Sequence, residues 1–190
     1  MKNLSVNQPF AVKKNLFVKL LLLPLVLFSI GVGTVCGTTY TGTVPIITSY
    51  TNYNINGISW TVEGTATAAL NQNIDGTKGA QIGTGKAPAN SLSFSTSGIN
   101  GTITSITINT SGAKDVKANV SVTIGGSAFG GEAKTITNSA ANYTFTGSAS
   151  GNVVISWSQS SSKALYVKTI TIEYSVGSIK TLSSAVSPVG

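Results

Sequence analysis

From residue 43 to residue 175, apolar side chains recur at every second position, in short runs broken by Gly, Asn and Ser. "ISWTV" (58–62) puts Ile58, Trp60 and Val62 on one face, and "SLSFST" (91–96) does the same with Leu92 and Phe94. "ANVSVTI" (118–124) aligns Val120, Val122 and Ile124. "YTFTG" (143–147) aligns Tyr143 and Phe145, and "VVISW" (153–157) aligns Val153, Ile155 and Trp157. The positions between are mostly Ser, Thr and Asn, which suit a wetted face. A period of two is that of an extended chain with one dry side. After the first forty residues no window shows a capped helical period. Two one-sided sheets must bury their apolar faces against each other. The expected fold is all-β, a two-sheet antiparallel β-sandwich of about ten strands. A jelly-roll-like order is preferred, because the Cys and Trp landmarks of immunoglobulin domains are missing. Turns are expected at "NING", "SGING", "NTSGAKD", "GGSAFGG" and "SASGN".

One run breaks phase. In "SSKALYVKTITIEYS" (161–175), Leu165 and Val167 are odd-numbered, whereas Ile170, Ile172 and Tyr174 are even-numbered. In a regular strand these sets point to opposite faces. A β-bulge near Lys168 and Thr169 would insert one residue and turn both sets inward. "TITSITI" (102–108) slips in the same way between Ile103 and Ile106. The rival reading leaves Leu165 and Val167 as an exposed apolar binding stripe. Burial of a few aliphatics is worth several kcal/mol in order of magnitude, so the bulge is preferred.

The first residues belong to a different class of segment. Lys2, Lys13, Lys14 and Lys19 precede the apolar run "LLLLPLVLFSIGVGTV" (20–35), and small residues follow. Charge, then an apolar run, then small residues is the order of a secretory signal. Pro24, Gly31 and Gly33 interrupt the run, which argues against an uncleaved anchor. The boundaries that follow are 1–37 for the signal, 38–176 for the sandwich and 177–190 for a tail or linker rich in Ser, Gly and Val. Cys36 is the lone cysteine, so no disulfide supports the fold. Two routes stay open for it: a lipid on Cys36 if cleavage falls before it, or removal if cleavage follows Gly37. The chain is expected to be secreted or held in the cell envelope, with a bacterial source. The membrane enters only through the signal or that lipid.

Composition closes several functional classes. Without the four lysines of the leader, eight lysines face five acidic residues, and there is no arginine. Nucleic-acid readers depend on Arg forks and clustered basic residues, so nucleic acid is not an expected partner. There is no histidine, which removes Ser-His-Asp and Cys-His catalysis and the usual zinc sites. Catalysis by a carboxylate pair would have to draw on Glu63, Asp75, Asp115, Glu132 and Glu173. Glu63 is expected to face outward or enter a turn and Glu173 to face outward, and sparse surface acids are usually solubilising. "NQNIDG" (71–76) has Asn71, Asn73, Asp75 and Gly76 at calcium-loop offsets, but Ile82 stands where the bidentate glutamate belongs. A polar turn is the better reading. "GGSAFGG" (125–131) lacks the strand-to-helix context of a phosphate loop and reads as a wide hairpin loop. No cofactor and no metal is expected. After the leader, four Asn-x-Ser/Thr triplets, at Asn100, Asn109, Asn119 and Asn142, match chance in so polar a chain.

Sugar binding needs aromatic faces presented to solvent beside amides and hydroxyls. Trp60 and Trp157 fall in phase with aliphatic neighbours and are assigned to the core. Tyr50 and Tyr53 lie among Asn residues ahead of a strand, and Tyr166 is out of phase with Leu165 and Val167 beside Lys168. Tyr50, Tyr53 and Tyr166 are the candidate ligand contacts.

"SLSFSTSGINGTITSITINTSG", "ANVSVTIGG", "YTFTG" and "GNVVISWSQSSSKALYVKTITIEY" together resemble an accessory module of secreted bacterial proteins, of the Bacteroidetes and Firmicutes type. The resemblance covers residues 45–175 and implies a jelly-roll-like sandwich whose last strand here runs from Lys163 to Tyr174. Such modules accompany extracellular nucleases, glycan-active enzymes and adhesin-like repeats and are themselves non-catalytic. No set of functional residues is carried over. The expected function is binding or attachment at the cell surface, to a glycan or another surface component. The alternatives are a structural spacer or a minimal hydrolase using Glu63 or Glu173. No oligomeric state is implied.

Overall fold

The computed structural model describes residues 36–66, 70 and 73–177. Residues 1–35, Asn71 of the calcium-like loop and residues 178–190 lie outside these, and with them most of the expected signal and tail. The described residues form thirteen strands and no helix. In chain order they are β1 (Cys36–Thr43), β2 (Asn52–Ile55), β3 (Ile58–Gly64), β4 (Ile74–Asp75), β5 (Gly79–Ile82), β6 (Ser91–Thr96) and β7 (Thr102–Gly112). They continue with β8 (Ala118–Ile124), β9 (Ser127–Ala128), β10 (Lys134–Ile136), β11 (Ala141–Ala149), β12 (Val153–Gln159) and β13 (Leu165–Val176). The excess over the expected ten comes from strands of two to four residues, too short to show a period.

All pairings are antiparallel and fall into two sheets. One runs β11–β7–β13–β5–β4, with β1 also on β13; the other runs β10–β8–β12–β6–β3–β2, with β9 also on β8. From β6 onward the chain passes back and forth between the sheets. The orders β1–β13–β7–β11 and β6–β12–β8–β10 are those of the double Greek-key jelly roll.

The alternation in the sequence decides which side of each strand is dry. Val120, Val122 and Ile124, like Val153, Ile155 and Trp157, are all buried and face the opposite sheet. Both tryptophans are core residues, at 0 % exposure for Trp60 and 1 % for Trp157. Each indole N–H reaches a hydroxyl carried by the other sheet. Trp60 donates to the Tyr40 oxygen at 3.1 Å, and that phenol donates to the Ile55 carbonyl at 2.6 Å. Trp157 donates to Thr110 Oγ1 at 3.1 Å, and Thr110 donates to the Tyr166 carbonyl at 2.6 Å. Both donors are thus satisfied without water.

Both phase slips are bulges. Opposite β7, Val167 pairs with Thr110 and Thr169 with Asn109, so Lys168 is the extra residue. Leu165, Val167, Ile170 and Ile172 are consequently all 0 % exposed, which removes the exposed-stripe alternative. In β7 the extra residue is Thr104, since Glu173 pairs with Ser105 and Tyr174 with Ile103. The Lys168 bulge also marks a change of neighbour. Ahead of it the free edge of β13 pairs with β5, and beyond it with β1.

Two turns show why their residues are needed. Asn56 and Gly57 have φ of 47° and 84°, and Gly125 and Gly126 have φ of 59° and 82°. Two consecutive left-handed residues make a type I′ turn, matched to the twist of a hairpin. "GGSAFGG" is therefore not a wide loop. Its first glycine pair makes the tight β8–β9 turn, and Phe129 then plugs the core at 3 % exposure.

Candidate ligand site on an outer sheet face

The outward side chains of the β1, β13, β7 and β11 layer form rows across the strands. One row is Thr41, Thr171, Thr107 and Thr144; the next is Thr43, Thr169, Asn109 and Asn142. Neighbours bond along each row: Thr41 with Thr171 at 3.2 Å, Thr107 with Thr144 at 2.9 Å, and Asn109 Nδ2 to Asn142 Oδ1 at 2.7 Å. β-Branched threonines hold one or two rotamers, so the hydroxyl platform is stiff.

Tyr166 stands at the end of this platform, on the outer face as its phase requires. Its row is Gln81, Tyr166 and Ser111, across β5, β13 and β7. Residues 76–78 form the turn between β4 and β5, beginning at the last residue of "NQNIDG" (71–76), for which a polar turn is expected. Asp75 Oδ1 accepts the backbone N–H groups of Thr77 and Lys78, each at 2.8 Å. From that turn Lys78 crosses β13. Its Nζ lies 5.0 Å from the centre of the Tyr166 ring and donates to the Gly112 carbonyl of β7 at 3.3 Å. The bulge aims Lys168 at the same turn, where its Nζ donates to the Thr77 carbonyl at 3.1 Å.

The charges follow from these contacts. The N–H groups of Lys78 and Thr77, and then the two ammonium groups, hold the Asp75 carboxyl below its ordinary range. Burial and then the Asp75 charge push the Tyr166 phenol up. The cluster presents two cations, one anion, a phenol and an amide around one aromatic ring.

The other two candidate tyrosines are elsewhere. Tyr53 lies on β2 in the second sheet, paired with Trp60 and packed against the core. Its hydroxyl accepts the N–H groups of Thr48 and Ser49 at 2.9 and 3.0 Å and donates to the Ser49 carbonyl at 3.0 Å. The Tyr50 hydroxyl accepts the Ala66 N–H at 3.0 Å, and its ring fills the space a side chain at Gly64 would need. Both phenols tie loop backbone to the sandwich, and neither meets Tyr166. Sequence reasoning placed Tyr166 on the outer face beside Lys168, but not Lys78, Gln81 and Ser111 around it. Only the D-G turn hinted that Lys78 closes a hairpin.

Glu63 and Glu173 are both exposed, on the outer faces of opposite sheets. The sandwich separates them, so they cannot act as a carboxylate pair. Glu63 borders a shallow depression of about 440 Å³ with Ser91, Ser93, Ser156 and Ser158, and no exposed aromatic ring lies there. Among the described residues no three His, Cys, Asp or Glu side chains gather as metal ligands.

No protein-family model matches the chain, and no curated protein does. Among solved structures, it is similar to the carbohydrate-binding module CBM36 in complex with calcium and xylotriose. That match has 20% identity over 59% of this chain and 98% of that one, with a TM-score of 0.34. The CBM22-1 xylan-binding domain from Paenibacillus barcinonensis Xyn10C matches with 12% identity over 77% and 97%, at a TM-score of 0.31. A family two carbohydrate esterase from Cellvibrio japonicus matches with 10% identity over 76% of this chain and 36% of that protein, at 0.35.

Proposed function

We propose that the chain is an exported, non-catalytic β-sandwich module that attaches to glycans at the cell surface, with Tyr166 as its aromatic contact. The observation that carries this reading is the outward Tyr166 ring set among Lys78, Lys168, Gln81 and Asp75, at the end of a stiff hydroxyl platform. Sugar rings stack their CH faces on aromatic rings and give their hydroxyls to amides, carboxylates and hydroxyls. Separation of Glu63 from Glu173 supports the non-catalytic half of the reading. The order of lysines, apolar run and small residues in the first 37 positions supports export. Strand β1 begins at Cys36, so a lipid there would tether the sandwich directly at its first strand.

A glycan array probed with the protein tests this. Binding to at least one glycan, reduced at least about tenfold by Tyr166→Ala, is expected. Binding to none would overturn it and leave the spacer reading. Mass spectrometry of the secreted chain locates its first residue and any lipid on Cys36.

A further inference from the structure

Resting on that reading of Tyr166, we propose that the site takes an acidic saccharide, and that Lys78 is a strap which such a ligand lifts. Thr110 points inward to Trp157, so Ser111 faces the opposite way, toward the outer surface beside Tyr166. Yet Ser111 is 0 % exposed, and its Oγ has no hydrogen-bond partner. The preceding outward position on β7, Asn109, holds a second buried oxygen without a partner, Oδ1. Buried polar atoms left unpaired are rare and call for a reason. Both lie on the strand that Lys78 reaches by crossing over Tyr166.

The strap is weakly held. Its ammonium has one 3.3 Å hydrogen bond and a ring contact at 5.0 Å, on a side chain with large rotamer freedom. Asp75 already shares one carboxylate oxygen between two backbone N–H groups. A ligand carboxylate or sulfate would attract both Lys78 and Lys168 through charge-assisted hydrogen bonds. Withdrawal of Lys78 frees the Tyr166 ring for stacking and gives the Ser111 hydroxyl a ligand oxygen. A neutral sugar has no charge to exchange for the Lys78 contacts.

Affinity electrophoresis of the full chain through gels holding polygalacturonate, dextran sulfate or neutral dextran tests this. Retardation by an acidic polymer but not by dextran is expected; the polymer that retards tells carboxylate from sulfate. Lys78→Gln and Lys168→Gln should each weaken it about tenfold, the loss of one charge-assisted bond. Tyr166→Ala should weaken it at least as much. Lys134→Gln, on β10 of the other sheet with its Nζ 5.2 Å from the Phe145 ring of β11 rather than at Tyr166, should change it less than about twofold. Urea midpoints of the variants confirm that each is folded. Equal loss with Lys134→Gln would reveal general charge attraction and overturn the proposal. Binding of neutral glycans through Tyr166, with no gain for acidic ones, would overturn this inference and leave the glycan reading standing. Binding to no polymer and no glycan overturns both.

Discussion

Two single-residue deletions in β13, three positions apart, should have opposite consequences. Lys168 is the bulge residue, with Leu165 and Val167 before it and Ile170 and Ile172 after it, all facing the core. Removing it leaves one regular strand in which the four apolar residues share a phase. What is lost is the hydrogen bond from the Val44 N–H to the Lys168 carbonyl at 3.0 Å and the exposed Nζ contact with Thr77. That amounts to about 1–2 kcal/mol. Removing Thr171 has no such remedy. Either Ile172 turns outward and Glu173 inward, or the bulge is absorbed and Ile170 turns outward with Thr169 inward. An isoleucine leaving the core costs about 1.5–3 kcal/mol. A buried polar group without a partner costs about 1–3 kcal/mol more. The sum of roughly 2.5–6 kcal/mol is a large share of the about 5–15 kcal/mol that stabilises an ordinary domain. Urea unfolding followed by tryptophan emission reads this, because Trp60 and Trp157 are both buried. The Lys168 deletion should unfold cooperatively at a modestly lower midpoint, and the midpoint of the Thr171 deletion should fall at least about twice as far. A Lys168 deletion as damaging as the Thr171 deletion would refute the phase argument.

Thr110→Val should cost about 2–4 kcal/mol in the same assay, since it strands the Trp157 N–H and removes a donor from the Tyr166 carbonyl. Thr110→Ser should restore most of that loss. Tyr40→Phe should cost about 1–3 kcal/mol, because it removes the acceptor for Trp60 and the donor to Ile55. Burial holds the Tyr40 phenol above its ordinary 10.0, only partly offset by the Trp60 N–H, and burial raises Tyr50 likewise. The folded state therefore keeps these protons longer than the unfolded state. Their contribution is complete below pH 10.0 and is lost as pH rises further, so urea midpoints should fall on the alkaline side. Midpoints unchanged up to pH 11 would contradict the burial of these phenols.

The tyrosines show where reading along the chain stops. Phase placed Tyr166 outside the core, and the structure agrees. Phase could not show that the Tyr53 hydroxyl would gather the Thr48 and Ser49 backbone, because that contact depends on how the loop before β2 folds back. Nor could it show that Lys78, eighty-eight positions earlier, would lie across the Tyr166 ring. Glu63 and Glu173 were legible as outward residues, but not as residues on opposite sides of the molecule.

The amino-acid sequence by itself determined the local terms: which side of each long strand is dry, where an extra residue resets it, and where Asn-Gly permits a turn. These depend on neighbours one or two positions away, where side-chain period and backbone sterics are decisive. Only the tertiary structure decided which strands lie side by side, how β13 shares one edge between β5 and β1, and hence which polar groups meet around Tyr166. The backbone bonds of a sheet are the same whatever the side chains, so partner choice is left to packing across the whole sandwich.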